Sequence, residues 1–257
     1  MILSQGYPLR TLRLSLLTAK NARARRFRFR NATCIRSKQL DPIGHWLGYA
    51  CPMPLQAPAR DQQLIQIVNS ALSDAFQKSS KWLACRPGCS QCCVGVFAIN
   101  QLDAIRLRKG LVELEQHDPQ RAARIRERAH ATVARLSPDF PGDPATGLLN
   151  DDDSDEACKH WDDYGNSEPC PVLDPEKGTC ELYESRPVIC RTFGPALTSE
   201  DDLGHCELCF VGATEEEVVA CEMHPDPDHL EEALLKELEE TTGAKGETII
   251  AFALVRG

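Results

Sequence analysis

Apolar side chains recur every three or four residues in two long parts of the chain, a spacing that predicts amphipathic helices. The first covers residues 61–80, and Asp61 is expected to cap its start. The second begins at Asp118 and Pro119, a capping residue followed by the residue type that suits a first helical position. Both segments are long enough to contribute a buried face to a core.

Shorter helices are marked by their capping residues. Asn100 is a predicted N-cap with Asp103 three residues on, and Gly110 is the predicted stop of the helix that follows. A capping box from Thr214 to Glu217 predicts another short helix, and the last predicted helix begins at Asp228. These segments make helix the commonest predicted element.

The pattern is lost in residues 137–169, where prolines, glycines and the acidic run 151–156 predict a long loop. Residues 248–255 form a continuous apolar run that periodicity cannot assign to strand or helix. The sequence therefore predicts a mainly α, small single-domain, cysteine-rich metal-binding fold with long irregular loops.

Cysteine changes the interpretation of this pattern. The chain has 257 residues and 13 cysteines, an odd number that cannot pair completely within one chain. A chain of this length can bury a core without covalent staples, so a chemical role accounts for the cysteines better than a structural one. No apolar run is long enough to span a bilayer, and no membrane contact is expected.

Charge divides the chain into two parts. Residues 1–40 carry ten Lys and Arg and no acidic side chain. The remaining residues carry 19 basic and 38 acidic side chains, a net charge of −19, so nucleic-acid binding is not expected.

The basic arm lacks a sustained period, and Met53 precedes the first well-patterned helix. We interpret residues 1–52 as an extension that is disordered or outside the native protein, with translation starting at or near Met53. The Arg-rich, acid-free composition of this arm is also typical of a transit peptide or of a disordered nucleic-acid arm. The remainder, 53–257, is the predicted domain, with core motifs in 85–194 and an auxiliary segment in 195–257.

Nine cysteines are candidate metal ligands because thiolates bind zinc and iron–sulfur clusters. A Cys-x-x-x-Cys-x-x-Cys-Cys loop is followed by three single cysteines and then by a Cys-x-x-Cys pair. The candidates are Cys85, Cys89, Cys92, Cys93, Cys170, Cys180, Cys190, Cys206 and Cys209. The spacing predicts that Cys85, Cys89 and Cys92 converge on one centre, while Cys221 and His224 are candidate partners of the final pair.

Disulfide bonding and thiol redox catalysis fit the cysteines less well than metal binding. Structural disulfides need an oxidising compartment, and the chain shows no good secretory signal, so a cytoplasmic location is expected. Thiol redox catalysis needs a low-pKa thiol, but no thioredoxin-like strand–CxxC–helix pattern surrounds these cysteines.

The motifs resemble a known family. They are Cys85-x-x-x-Cys89-x-x-Cys92-Cys93, Cys170-Pro-x-Leu, and Gly178-Thr-Cys180-x-x-Tyr183-x-x-Arg186-Pro187-x-x-Cys190-Arg191-x-Phe193-Gly194. This set is similar to the YkgJ-type CxxCxxCC cysteine-cluster family of zinc- or iron-chelating, or iron–sulfur, proteins. Three residues separate Cys85 from Cys89, one more than the two residues that the name CxxCxxCC implies.

The function predicted from these observations is binding of an iron–sulfur cluster or zinc through clustered thiolates, with the biological reaction open. Arg186 and Arg191 are candidate cofactor-binding residues, as donors to cluster sulfurs. The alternatives are a zinc-stapled protein-interaction module and a metal-dependent redox or modifying enzyme. No general base, nucleophile or phosphate loop supports catalysis, and a protein partner is not identified.

Overall fold

The computed structural model of the protein describes residues 55–199 and 202–256. Its helices are α1 (Asp61–Lys78), α2 (Gln101–His117), α3 (Pro119–Leu136), α4 (Asp155–Asp163), α5 (Val188–Thr192), α6 (Glu215–Val219), α7 (Leu230–Thr242) and α8 (Ile250–Val255). Single turns of 3-10 helix lie at Gln91–Cys93, Ser137–Asp139 and Tyr183–Ser185. The extension 1–52 lies outside the described residues.

The strands of the described part form four antiparallel pairs. They are β1 (Ala98–Ile99) with β8 (Thr248–Ile249), β2 (Gly142–Asp143) with β3 (Leu148–Leu149), β4 (Leu173–Asp174) with β5 (Thr179–Cys180), and β6 (Leu197–Ser199) with β7 (Asp202–Gly204). All are two or three residues long, so helices dominate and the mainly α prediction is confirmed.

The main core lies between α2, α3 and α8. Leu107 and Leu111 of α2 pack with Ile125 of α3 and Leu254 of α8, and β1 contributes the fully buried Ile99. On the other face of α2, Leu102 and Ile105 meet the leucines of α1 and α7. Helix α2 is therefore buried on both sides and forms the centre of the domain.

Three helix boundaries follow the predicted capping chemistry. The Asn100 side chain accepts the Asp103 N–H, and Asp118 accepts the Arg121 N–H, each at 3.0 Å. The predicted capping box at α6 is present, with both reciprocal hydrogen bonds between Thr214 and Glu217. These predictions are confirmed because capping is a local interaction.

Other boundaries differ from the predictions. Helix α2 continues through Gly110, where an added Cβ would lie 2.1 Å from the Ser185 Oγ, so this glycine allows close packing instead of a stop. Asp61 does not cap α1, because its carboxylate accepts hydrogen bonds from Arg106.

The predicted loop 137–169 contains α4 and the β2–β3 hairpin. Its anchor is a buried aromatic cluster in which Phe140 stacks on Phe252 at 4.4 Å between ring centroids. The ambiguous run 248–255 contains a strand followed by a helix, β8 and α8. No helix in the described ranges combines the length and apolar character that crossing a membrane requires.

Candidate metal centres

The nine candidate thiols lie in two separate groups. The first sulfur group contains Cys85, Cys89, Cys206 and Cys209. The Cys85 and Cys209 sulfurs are 3.9 Å apart, and Cys89 and Cys206 also lie close enough for their charges to act on Cys85. Two segments more than 110 residues apart in the chain therefore contribute two thiols each.

Backbone contacts hold the first sulfur group together. The Cys206 N–H donates to the Gly194 carbonyl at 3.2 Å, and the Phe210 N–H donates to the Trp82 carbonyl at 2.9 Å. Gly194 has φ +128°, and an added Cβ would lie 2.8 Å from the Cys85 sulfur. Glycine is needed here because any side chain would displace the thiol.

The second sulfur group contains Cys92, Cys93, Cys170, Cys180 and Cys190. Cys92 lies at its centre, since its charge acts on each of the other four thiols. The Cys170 N–H donates to the Cys93 carbonyl at 2.8 Å, which joins the first cysteine loop to the second. Cys180 lies on β5, opposite Leu173 of β4, and Cys190 lies on α5.

Two buried carboxylates position the elements of the second sulfur group. Asp103, which is fully buried, accepts the Val188 N–H at the start of α5 at 2.9 Å and pairs with Arg106 at 2.6 Å. Glu181, the neighbour of Cys180, pairs with Arg121 and Arg128 of α3.

The sequence pattern indicated Asp103 only as part of a cap and did not indicate Glu181 at all. The available signal for Glu181 was its position directly after the candidate ligand Cys180. Arg121 and Arg128, seven residues apart on a helix, were its possible partners.

Burial and crowding raise the pKa of most of these thiols. Burial, reinforced by the nearby Cys209, raises the pKa of Cys85 to about 12, and burial raises that of Cys170 to about 12. Burial also raises the pKa of Cys190 well above its ordinary value. Thiolates this close repel one another, so a bound cation is the natural counter-charge for each group.

Some thiols also receive hydrogen bonds that favour the thiolate. Burial raises the pKa of Cys170, Cys180 and Cys206, and backbone N–H groups of Val172, Leu182 and Leu208, each donating to the cysteine two positions earlier, offset part of that rise. The hydrogen bond with Cys93, aided by the Arg186 charge, lowers the pKa of Cys92 to about 7. N–H donors to sulfur are typical of thiolate metal sites, so both donor sets fit zinc or iron.

The sulfurs are near one another without being at coordination positions. Within residues 55–199 and 202–256, no three Cys, His, Asp or Glu side chains are arranged to hold an ion.

The two candidate arginines have different surroundings. The Arg186 charge acts on Cys92 and Cys180, and its guanidinium lies 3.8 Å from the Tyr183 ring centre. Arg191 instead donates to the Arg186 carbonyl at 3.1 Å, to the Asn69 side chain at 3.0 Å and to the Glu184 carbonyl. Arg191 thus holds the backbone around the site.

The expected triplet is divided by the fold, because Cys92 lies with the second sulfur group and not with Cys85 and Cys89. The Cys206–Cys209 pair meets Cys85 and Cys89, and the suggested partner Cys221 packs in the same buried cluster as the pair. Cys221 contacts the Lys78 carbonyl, and the His224 side chain is 70% exposed.

The remaining cysteines lie elsewhere. Cys158 lies on α4, apart from both sulfur groups. Cys34 and Cys51 lie outside the described residues.

Comparison with known proteins agrees with this chemistry. Residues 84–210 match the model of a family described as "CxxCxxCC: Putative zinc- or iron-chelating domain". No curated protein and no solved structure matches the chain. The match includes all nine thiols of the two sulfur groups. Residues 84–210 of this chain are therefore a CxxCxxCC domain.

Proposed function

We propose that the domain binds two metal centres of different kinds, zinc in the first sulfur group and an iron–sulfur cluster in the second. The observation that carries the proposal is the division of nine thiols into one set of four and one set of five with separate supports. A four-thiolate shell satisfies one zinc ion, and four cysteines satisfy one cluster.

Zinc in the first sulfur group is supported by its ligand spacing. Cys85 and Cys89 are separated by three residues, and Cys206 and Cys209 by two, which are the short spacings of structural zinc sites. The backbone contacts at Gly194 and Trp82 join the two pairs into one closed set of four. Such a centre has a structural role, since it would connect the start of the domain to its auxiliary segment.

Iron in the second sulfur group is supported by its spread along the chain and by its charge environment. Cys92, Cys170, Cys180 and Cys190 come from separate turns. Backbone N–H groups donate to Cys170 and Cys180, and the Arg186 charge acts on Cys92 and Cys180. Hydrogen bonds and nearby cations tune cluster potential. Cys93 remains as a fifth thiol beside the proposed ligands.

One preparation tests both assignments. The protein is purified without oxygen, its visible spectrum is recorded, and its iron, acid-labile sulfide and zinc are quantified. We expect broad visible absorption, iron with equal sulfide, and about one zinc per chain. Colourless protein with two zinc ions would contradict the cluster, and folded protein free of metal would contradict the whole proposal.

Single serine substitutions separate the two centres. Cys89→Ser is expected to lose zinc and keep the visible absorption, whereas Cys190→Ser is expected to lose iron and keep zinc. Cys158→Ser is the matched control because Cys158 lies in neither group. Loss of both metals in equal proportion from either variant, with the fold retained, would show one shared centre.

A further inference from the structure

A cavity of about 540 Å³ lies between the two sulfur groups. Thiols of both groups line it, including Cys89 on one side and Cys170 on the other. The remaining wall is mainly apolar and includes Leu72, Phe76, Val96, Phe97, Phe193 and Ile250. Mostly apolar walls with a few polar groups are typical of small-molecule sites of this volume.

The cavity is larger than a metal centre requires. If each of the eight inorganic atoms of a four-iron cluster took a water molecule's share of about 30 Å³, the cluster would occupy about 240 Å³. That is less than half of the cavity volume of about 540 Å³. The remaining space is bounded by the apolar wall and can receive an organic molecule.

The charged side chains of the wall indicate the sign of that molecule. Glu168 is already paired with Arg135, and Arg191 donates to oxygens of Asn69 and of the backbone. Arg86 is exposed, and among the described residues neither it nor Arg186 has a carboxylate partner. Among the arginine and carboxylate side chains of the wall, the unpaired charges are therefore positive.

We propose that this cavity binds a small organic anion with an apolar body, its anionic group facing Arg86 and its body against Leu72, Val96 and Phe193. The cavity and its charge stand on geometry alone. Only the placement of the ligand beside a metal centre rests on the proposed function. A ligand held there would lie against the thiols of the second sulfur group, where a reactive centre would meet its substrate.

Binding is tested on the metal-loaded protein with anilinonaphthalene sulfonate, an aromatic anion whose fluorescence rises in apolar sites. We expect one saturable site. Octanoate should displace the dye, whereas octylamine, with the same chain and a positive charge, should not. Equal displacement by the two would overturn the anionic assignment, and absence of saturable binding would overturn the site.

Two substitutions locate the dye. Leu72→Trp fills the half-buried wall and should weaken dye binding at least about fivefold, as overpacking does. Val112→Trp is the matched control, because Val112 is 51% exposed and lies outside the cavity wall. Equal dye affinity in both variants would place the dye elsewhere and overturn the proposal.

Arg86→Gln should weaken the dye about two- to fivefold, the effect of one exposed charge pair. Arg124→Gln, an exposed arginine outside the cavity, should leave the affinity unchanged. Equal effects of the two would overturn the role of Arg86. Metal content is measured in each variant. Weaker dye binding with metal retained supports this inference, whereas unchanged dye affinity with metal retained contradicts it and leaves the proposed function unaffected.

Discussion

The two sulfur groups are built from the same residue type but are supported in different ways. The first lies in a small satellite cluster, where Trp82, Leu83 and Phe193 pack against Cys209 and Phe210. In the second, Cys170, Cys180 and Cys190 pack against the main core of α2, α3 and α8. The first is assembled by backbone contacts between loops, and the second by buried ion pairs.

This difference has a thermodynamic consequence. Elements with few core contacts open locally, whereas elements packed on the main core open with the whole domain. We expect metal in the first sulfur group to exchange without global unfolding. Metal in the second should be retained until the core of α2 and α3 unfolds.

Among the variants that test this comparison, Asp103→Ala is expected to lower stability the most. It leaves Arg106 with one partner fewer and the buried Val188 N–H without an acceptor, which costs about 3–5 kcal/mol. Thermal unfolding should begin roughly 10 °C lower, and iron should be lost before zinc. Asp103→Asn keeps an acceptor for the Val188 N–H and should lose less stability than Asp103→Ala. An unchanged melting temperature in the alanine variant would show that the network does not support α5.

Glu181→Gln is expected to have the next largest effect. Arg121 and Arg128 lose their shared, buried carboxylate, so stability should fall by about 2–3 kcal/mol and iron in the second sulfur group should decrease. Glu115→Gln is the control, since Glu115 pairs with Arg126 at the surface and its loss should change stability much less than the loss of Glu181. Metal analysis and thermal unfolding measure both variants. Preferential loss of zinc would show that Glu181 supports the first sulfur group and not the second.

Gly194→Ala disturbs the first sulfur group and should leave the second unchanged. The new Cβ meets the Cys85 sulfur at 2.8 Å, and the positive φ adds strain, together about 1–3 kcal/mol. We expect zinc to be lost while the visible absorption is kept. Gly212→Ala has φ +81° with nothing within 4 Å of the added Cβ, so it should be strained without losing zinc. Retention of zinc in both variants would remove Gly194 from the site.

The smallest expected effect is a pH dependence of fold stability that is set by Glu168, beside the second sulfur group. The Arg135 guanidinium holds the pKa of Glu168 below its ordinary value of 4.5, so the ionised form stabilises the fold above that pH. Glu168→Gln should reduce stability at pH 7 by about 1 kcal/mol or less. The difference from the unchanged protein should shrink as the pH falls below about 4.5. Urea unfolding at several pH values measures it, and a constant difference would contradict the ion pair.

The predictable parts of the fold were those that depend on neighbouring residues. The caps at Asn100 and Asp118 and the capping box at Thr214 are interactions over three residues, and all three are present. Gly110 was predicted as a stop, but α2 continues through it, and Ser185, 75 positions away, packs where a side chain would lie. Long-range packing of this kind leaves no trace in a local pattern.

The sequence by itself determined the residue type and the region of the site, because soft thiolates spaced closely along a chain favour zinc and iron whatever the fold around them. Only the tertiary structure decided how the thiols are divided. Cys89 and Cys92 are three residues apart, yet Cys89 lies with Cys206 while Cys92 lies with Cys190. The physical reason is that a metal centre is completed by distant segments, and contacts across a hundred residues depend on the packed core and not on spacing.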